Sequence, residues 1–301
     1  MRVVIITDKD LMHKYLCVQI ADQHDVVAVL HPSRVARTAL GRIRSITKDL
    51  RRHGAPAAVL QKLTGVSFLR LGWNRQASVQ RAQQRVFADV NAVYQQRVAP
   101  LAHDIEDINA PEATHRLSEL KADVVISLGG PIYRAPLIKA TNLMLNFHTG
   151  ISPIYNGAGT IFWTFANKHV HLAGGTLMVM NEVVDGGDIL AHYLCPIEAE
   201  DDPGTLFTKA IVGGTKLYDR FLRHLSQGGQ YVGIPQTRSF FNYRGFEWTV
   251  GQTLAVQRNI EQGLCRRFER AEEVIEYWRL GTEPAARQAL KDNIARWVGN
   301  A

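Results

Sequence analysis

"DVVISLGGPIYRAPLIKATNLMLNFHTG", residues 123–150, decides how this chain folds. Its two apolar runs, "DVVISL" and "NLMLNFH", are short, continuous and rich in Val, Ile, Leu and Met. Runs of that kind read as strands buried on both faces of a parallel sheet, because a sheet with one wet face would alternate apolar and polar residues. The first run stops at Gly129-Gly130. The second ends on Asn146 and His148, two residues apart and therefore on one face of the strand.

The same reading extends upstream and downstream. "RVVIIT" (2–7) and "DVVAVLH" (25–31) are buried strands separated by a helix-spaced stretch, 11–23, which makes a βαβ opening. Residues 34–100 read as a helical, Arg-, Gln- and Ala-rich insertion before the sheet resumes weakly at "HDIEDINAP" (103–111). "EATHRLSELKA" predicts a short helix and 157–170 another. "AGGTLMVMNEVVDGGDILAHYLCPI" predicts two strands joined at "VVDGG". Residues 202–228 predict a long amphipathic helix, with Asp202 as its N-cap and Pro203 at its first position. The fold expected is α/β: an open, twisted, mostly parallel sheet related to the Rossmann class. A catalytic unit over 1–230 and a smaller C-terminal unit over 231–301 are expected.

Composition excludes several classes. The chain has 301 residues, 46% hydrophobic and 21% charged, which is ordinary for a globular protein. Three widely spaced cysteines, Cys17, Cys195 and Cys265, give neither a disulfide framework nor a cysteine metal site. No apolar run approaches the roughly 18–20 residues of a membrane span, and "MRVVIIT" has no signal-peptide layout, so a cytoplasmic location is expected. The formal charge is +7, and Arg34, Arg37, Arg42, Arg44, Lys48, Arg51 and Arg52 cluster in the insertion. That cluster fits either a solvated helix face or a partner carrying phosphate.

In an open α/β sheet, ligands bind outside the carboxyl ends of the strands. "SLGGPIY", "NFHTG" and "NEVVDGGD" all lie at such ends. They converge an amide (Asn146), an imidazole (His148) and a carboxylate (Asp185). An amide can donate to a developing oxyanion, an imidazole can donate or shuttle a proton, and a carboxylate can orient that imidazole. No Ser or Cys stands in a nucleophile context, so the chemistry indicated is acyl transfer to a nucleophile carried by the substrate. His169, His171 and His192 have no ligand-spaced partners, and no metal is expected.

"NFHTGISPIYNGAGTIFWTFANK" followed by "GGTLMVMNEVVDGGDIL" resembles the core of the folate-dependent formyltransferases. These include methionyl-tRNA formyltransferases, glycinamide ribonucleotide transformylases and sugar-nucleotide N-formyltransferases. The resemblance covers roughly residues 1–8 and 103–228. It implies that Asn146, His148 and Asp185 are the catalytic trio. It further implies N10-formyltetrahydrofolate as co-substrate, held along Gly129, Gly130, Pro131, Ile132 and Tyr133 and along Val183 and Val184. Thr149, Tyr155 and Asn156 are then the expected substrate contacts. Tyr155-Asn156-Gly157 departs from the family's Tyr-Arg-Gly and lacks its basic residue.

The acceptor expected is a small phosphorylated amine, foremost an amino-sugar nucleotide, with no nucleic-acid or membrane partner and with possible homodimerisation through the C-terminal unit. Methionyl-tRNA, a hydroxyornithine-like or other natural-product amine, and a catalytically degenerate binding protein of the same fold are the alternatives. Against RNA, Arg266, Arg267 and Arg270 are interleaved with Glu261, Glu269, Glu272 and Glu273, which cancel them.

Overall fold

The computed structural model describes residues 1–33, 73–236 and 238–299. The basic cluster Arg34–Arg52 therefore lies outside the described residues. β1 (Arg2–Thr7), α1 (Leu11–Gln23) and β2 (Asp25–Pro32) open the chain as the expected βαβ unit. Helices α2 (Arg75–Val86) and α3 (Val90–Arg97) then lead into β3 (Ala102–Ile105). Next come α4 (Pro111–Glu119), β4 (Val124–Leu128), α5 (Ala135–Lys139), β5 (Met144–His148), β6 (Tyr155–Gly157) and α6 (Thr160–Ala166). β7 (Gly174–Val179), β8 (Ile189–Leu194) and α7 (Pro203–Ser226) follow. The last elements are β9 (Phe241–Tyr243), α8 (Val250–Glu261), β10 (Glu273–Glu276) and α9 (Glu283–Gly299).

Eight strands form one sheet in the order β10-β8-β7-β5-β4-β1-β2-β3, while β6 and β9 pair separately. The strands from β3 to β5 run parallel. β5–β7, β7–β8 and β8–β10 are antiparallel. The continuous apolar runs are explained by burial on both faces. Val3 and Ile5 of β1 enter one core and Val4 and Ile6 the other. The larger core lies under α1, α3 and α7, and the smaller is closed by Ala113 and Leu117 of α4 and by Tyr133 and Leu137.

α7 starts as its sequence predicts. Asp202 accepts the Thr205 amide at 2.9 Å while Thr205 Oγ1 accepts the Asp202 amide at 2.9 Å, a reciprocal cap with Pro203 behind it. Phe162, Trp163 and Phe165 are core residues, as helical spacing predicts.

The C-terminal residues do not pack by themselves. β10 extends the main sheet alongside β8, with Ile275 opposite His192. Val256, Leu264, Cys265 and Trp278 join the same core as β1 and α7. A charged sequence after residue 238 hid this, because β10 is a four-residue edge strand with little apolar signal. All three cysteines are buried and free. Among the described residues no helix is long and apolar enough to cross a membrane.

Candidate active site

β5 is central, and its carboxyl end carries the pair. Asn146 lies between Ser127 of β4 and Met178 of β7, and His148 lies opposite Thr176. Period-two alternation turns Phe147 into the core and leaves Asn146 and His148 at a cleft of about 300 Å³. Gly129, Gly130, Pro131, Ile132 and Tyr133 form one wall of that cleft. Val183, Val184 and Asp185 form another, and Thr149 follows His148 on its floor. The structure thus brings all three expected catalytic residues and both expected cofactor segments to one place.

Asp185 Oδ1 lies 3.3 Å from His148 Nδ1, and Asp185 Oδ2 accepts the Gly157 amide at 2.9 Å. His148 Nε2 faces the Tyr155 carbonyl at 3.1 Å. A carbonyl can only accept, so in this contact Nε2 is the donor and Nδ1 is the nitrogen turned toward Asp185 Oδ1. That separation is longer than the roughly 2.7–2.9 Å of a charge-assisted hydrogen bond. Among the described residues the Asn146 amide has no side-chain hydrogen bond to protein, which leaves its donors for whatever occupies the cleft.

Asp185 has φ +53°, a left-handed conformation uncommon for a residue with a side chain. Three side chains hold its loop. Asn156 Nδ2 donates to the Asp185 carbonyl at 3.0 Å. Gln236 Nε2 donates to the same carbonyl at 2.9 Å and to that of Gly187 at 2.7 Å. Asn181 closes the loop from inside, donating to the Gly186 carbonyl at 3.0 Å and accepting the Val183 amide at 2.9 Å.

The opposite wall is equally fixed by backbone requirements. Gly130 has φ +93°, and a Cβ there would lie 2.5 Å from the Tyr133 hydroxyl. That hydroxyl meets Ser127 Oγ at 2.9 Å, so the wall curls around its own buried tyrosine. Asn109 clasps it from outside, donating to the Ile132 carbonyl at 2.9 Å and accepting the Arg134 amide at 2.8 Å. Ile132, Val183 and Val184 are exposed at the rim, giving the mouth apolar lips on both sides.

Two expected substrate contacts are corrected. The Tyr155 ring is fully buried and faces away from the cleft. Its hydroxyl bonds to His169 Nδ1 at 2.8 Å and to Asn167 at 3.1 Å, and burial pushes its pKa well up. Only its carbonyl reaches the site, through His148. Asn156 is also buried, and its amide is spent on the Asp185 loop and on Gln236 at 3.3 Å. Both residues contact the trio from outside the cleft, Tyr155 through its carbonyl on His148 and Asn156 through its Nδ2 on the Asp185 carbonyl. Sequence reading missed Gln236 and Asn109, since an isolated Gln or Asn in a turn-rich stretch carries no signal of its distant partner.

His192 is buried between the Ser152 carbonyl at 2.8 Å and the Tyr277 hydroxyl at 3.1 Å, and His171 is buried beside Phe268. Among the described residues one group, Asp8, Asp10 and His13, places ligand-type atoms within 4.8 Å of one another, after β1 and at the start of α1.

Residues 74–221 match the family described as formyl transferase. A methionyl-tRNA formyltransferase of Lactiplantibacillus plantarum is 30% identical over 146 residues, 46% of this chain and 45% of that protein. One from Streptococcus pyogenes is 32% identical over 136 residues, 44% of this chain and 43% of that protein. The chain thus spans less than half the length of these curated relatives. An N-formyltransferase of Helicobacter canadensis, solved with folinic acid and dTDP-3-aminofucose, shares the fold. Its TM-score is 0.51 at 16% identity, over 83% of this chain and 73% of that one. Residues 74–221, the stretch similar to the formyl transferase family, include Asn146, His148 and Asp185, which the strand ends of the sheet gather at one cleft.

Proposed function

We propose that this protein transfers the formyl group of N10-formyltetrahydrofolate to the amine of a small phosphorylated acceptor, with an amino-sugar nucleotide as the favoured class. The observation that carries the reading is the meeting of Asn146, His148 and Asp185 in one cleft between the 129–133 and 183–185 walls. The cleft suits a flat heterocycle: apolar lips flank it, and backbone groups of both walls line its polar edge. The co-substrate supplies an activated one-carbon acyl group.

The chain's own residues do the rest. Asn146 donates its amide to the charge that develops on the formyl oxygen, where one such donor is typically worth about 3–4 kcal/mol. His148, fixed through Nε2 on Tyr155, presents Nδ1 as the nitrogen that gains or gives a proton. Asp185 holds that ring and takes the proton that the acceptor amine loses as it becomes an amide, and this proton passes to N10 as the bond from the formyl carbon to N10 breaks and tetrahydrofolate leaves. Nucleophile and leaving group both come from the substrates, consistent with a cleft whose lining, among the described residues, includes no Ser or Cys.

A second reading has its own support: the matched relatives are methionyl-tRNA formyltransferases. The two are separated by an assay of formyl incorporation from N10-formyltetrahydrofolate into a panel of amino-sugar nucleotides and, in parallel, into methionyl-tRNA. Incorporation into the sugar nucleotides is the expected outcome. Incorporation into tRNA alone would reassign the acceptor, and incorporation into neither, with no folinic acid binding, would remove the formyltransferase reading. We further propose a cytoplasmic location and pairing of two copies through residues 231–301, the latter tested by light scattering.

A further inference from the structure

Asn156 beside the cleft is uncharged, buried and committed through Nδ2 to Asp185. A guanidinium nonetheless stands beside the same loop, brought from elsewhere in the chain. Arg75 is the first residue of α2, capped by Asn74, which accepts the Ala77 amide at 2.9 Å. Its guanidinium carbon lies 3.8 Å from the centre of the Phe162 ring. A Cβ built on Gly159 would meet both terminal nitrogens of Arg75 at 3.1 Å, so the guanidinium rests directly on the glycine that opens α6.

That position adjoins the catalytic cleft along two routes. Thr160, next to Gly159, donates its hydroxyl to the carbonyl of Thr149, which lines the cleft immediately after His148. Phe162, beneath the guanidinium, lies 5.6 Å from the ring of Phe207, another cleft residue. Gly157, two residues before Gly159, is the one that donates to the Asp185 carboxylate.

The surroundings of Arg75 differ from those of the ion-paired arginines. Arg220, Arg223, Arg279 and Arg296 each pair with an aspartate or glutamate. Among the described residues Arg75 has no carboxylate partner and no hydrogen-bond acceptor; its contact is the aromatic face. The residue remains exposed overall, yet burial of its head against Phe162 and Gly159 draws its pKa below the usual arginine value. A guanidinium stacked on an aromatic keeps its in-plane donors available, and their fork matches two oxygens of a phosphoryl group.

We infer that Arg75, on α2, binds a phosphoryl group of the acceptor. Arg75 is then a specificity-determining residue. This assignment rests on the proposed reaction with a phosphorylated amine, and its test keeps the two apart.

The full chain is titrated calorimetrically with inorganic pyrophosphate and, separately, with folinic acid. Arg75→Gln should weaken pyrophosphate binding about tenfold or more, as loss of a charge-assisted pair implies. Arg75→Lys, which keeps the charge without the fork, should fall between Gln and wild type. Folinic acid affinity should be unchanged in both variants, which also shows that the cleft is intact. Pyrophosphate affinity within twofold of wild type in Arg75→Gln overturns the assignment, as does a wild-type protein that binds no pyrophosphate. Failure of folinic acid to bind the wild type counts instead against the formyltransferase reading, and the pyrophosphate titration still decides the role of Arg75.

Discussion

Gln236 donates its side-chain amide to the backbone carbonyl of Asp185 at 2.9 Å, across 51 residues of sequence. Asp185 adopts a left-handed backbone that its own side chain disfavours, so contacts outside the loop must hold it. Gln236→Ala should therefore lower turnover about tenfold while costing only about 1 kcal/mol of stability, the usual worth of a hydrogen bond. Folinic acid affinity should hold, and Gln236→Glu, which cannot donate when ionised, should behave like the alanine variant. Equal loss of turnover and donor affinity would show a general collapse of the cleft and defeat the positioning role.

His148→Ala and Asp185→Ala should each reduce turnover by about 10²–10³ with little change in folinic acid affinity. Both residues are assigned to charge and proton movement in the transition state, not to ground-state binding. Their effects should not add in the double variant, because the two share one proton. Steady-state kinetics of the single and double variants check this, and near-normal turnover in either single variant removes the mechanism.

Gly150→Ala should destabilise the loop that carries His148. Its Cβ would lie 2.4 Å from the Tyr155 carbonyl and 2.5 Å from His148 Nε2, the two ends of the bond that orients the ring. Neither atom can retreat freely, so a cost of about 1–3 kcal/mol is expected, as for overpacking elsewhere. Urea unfolding measures it; an unchanged midpoint with unchanged turnover would contradict the geometry.

Acid should weaken the fold before the carboxylates titrate. Burial drives the His192 pKa down to about 3, and burial together with the neighbouring His169 and Arg270 drives that of His171 down to about 4. Both are neutral in the fold, while the unfolded chain protonates near the usual value of about 6.5. Between those limits the unfolded state binds more protons, so stability is full above about pH 6.5 and falls as pH drops toward the folded values. The slope is at most about 1.4 kcal/mol per pH unit for His192. Denaturant midpoints at pH 7, 6 and 5 should decline in order, and His192→Phe should shallow that decline even though it costs stability at pH 7.

Turnover should survive dialysis against EDTA, because hydrogen-bond donors and a proton relay suffice for the proposed chemistry. Loss of activity restored by a divalent cation would contradict this and direct attention to Asp8, Asp10 and His13, whose ligand-type atoms lie together.

Much of this architecture was legible from local pattern alone. Continuous apolar runs marked β1, β2, β4 and β5, because strands covered on both faces need no polar positions. Asp202 and Pro203 marked the start of α7 through short-range capping chemistry. Asn146 and His148 shared a face because strand side chains repeat every two residues, and the glycines around Asp185 marked a tight loop at a neighbouring strand end.

What tertiary structure alone decided was the partner of each polar group. Tyr155 and Asn156 sit in a loop and read as exposed contacts, yet β6 pairs with β9 and the aromatic cluster around Tyr243 buries them. Gln236, Arg75 and β10 carried no local signal, because their roles depend on Asp185, Phe162 and β8, each more than 50 residues away. Periodicity reports how a segment's own backbone meets water or core. It carries no information about which distant donor, ring or strand edge the folded chain sets against a given side chain, and in this protein that pairing separates residues that face the cleft from those that hold it in shape.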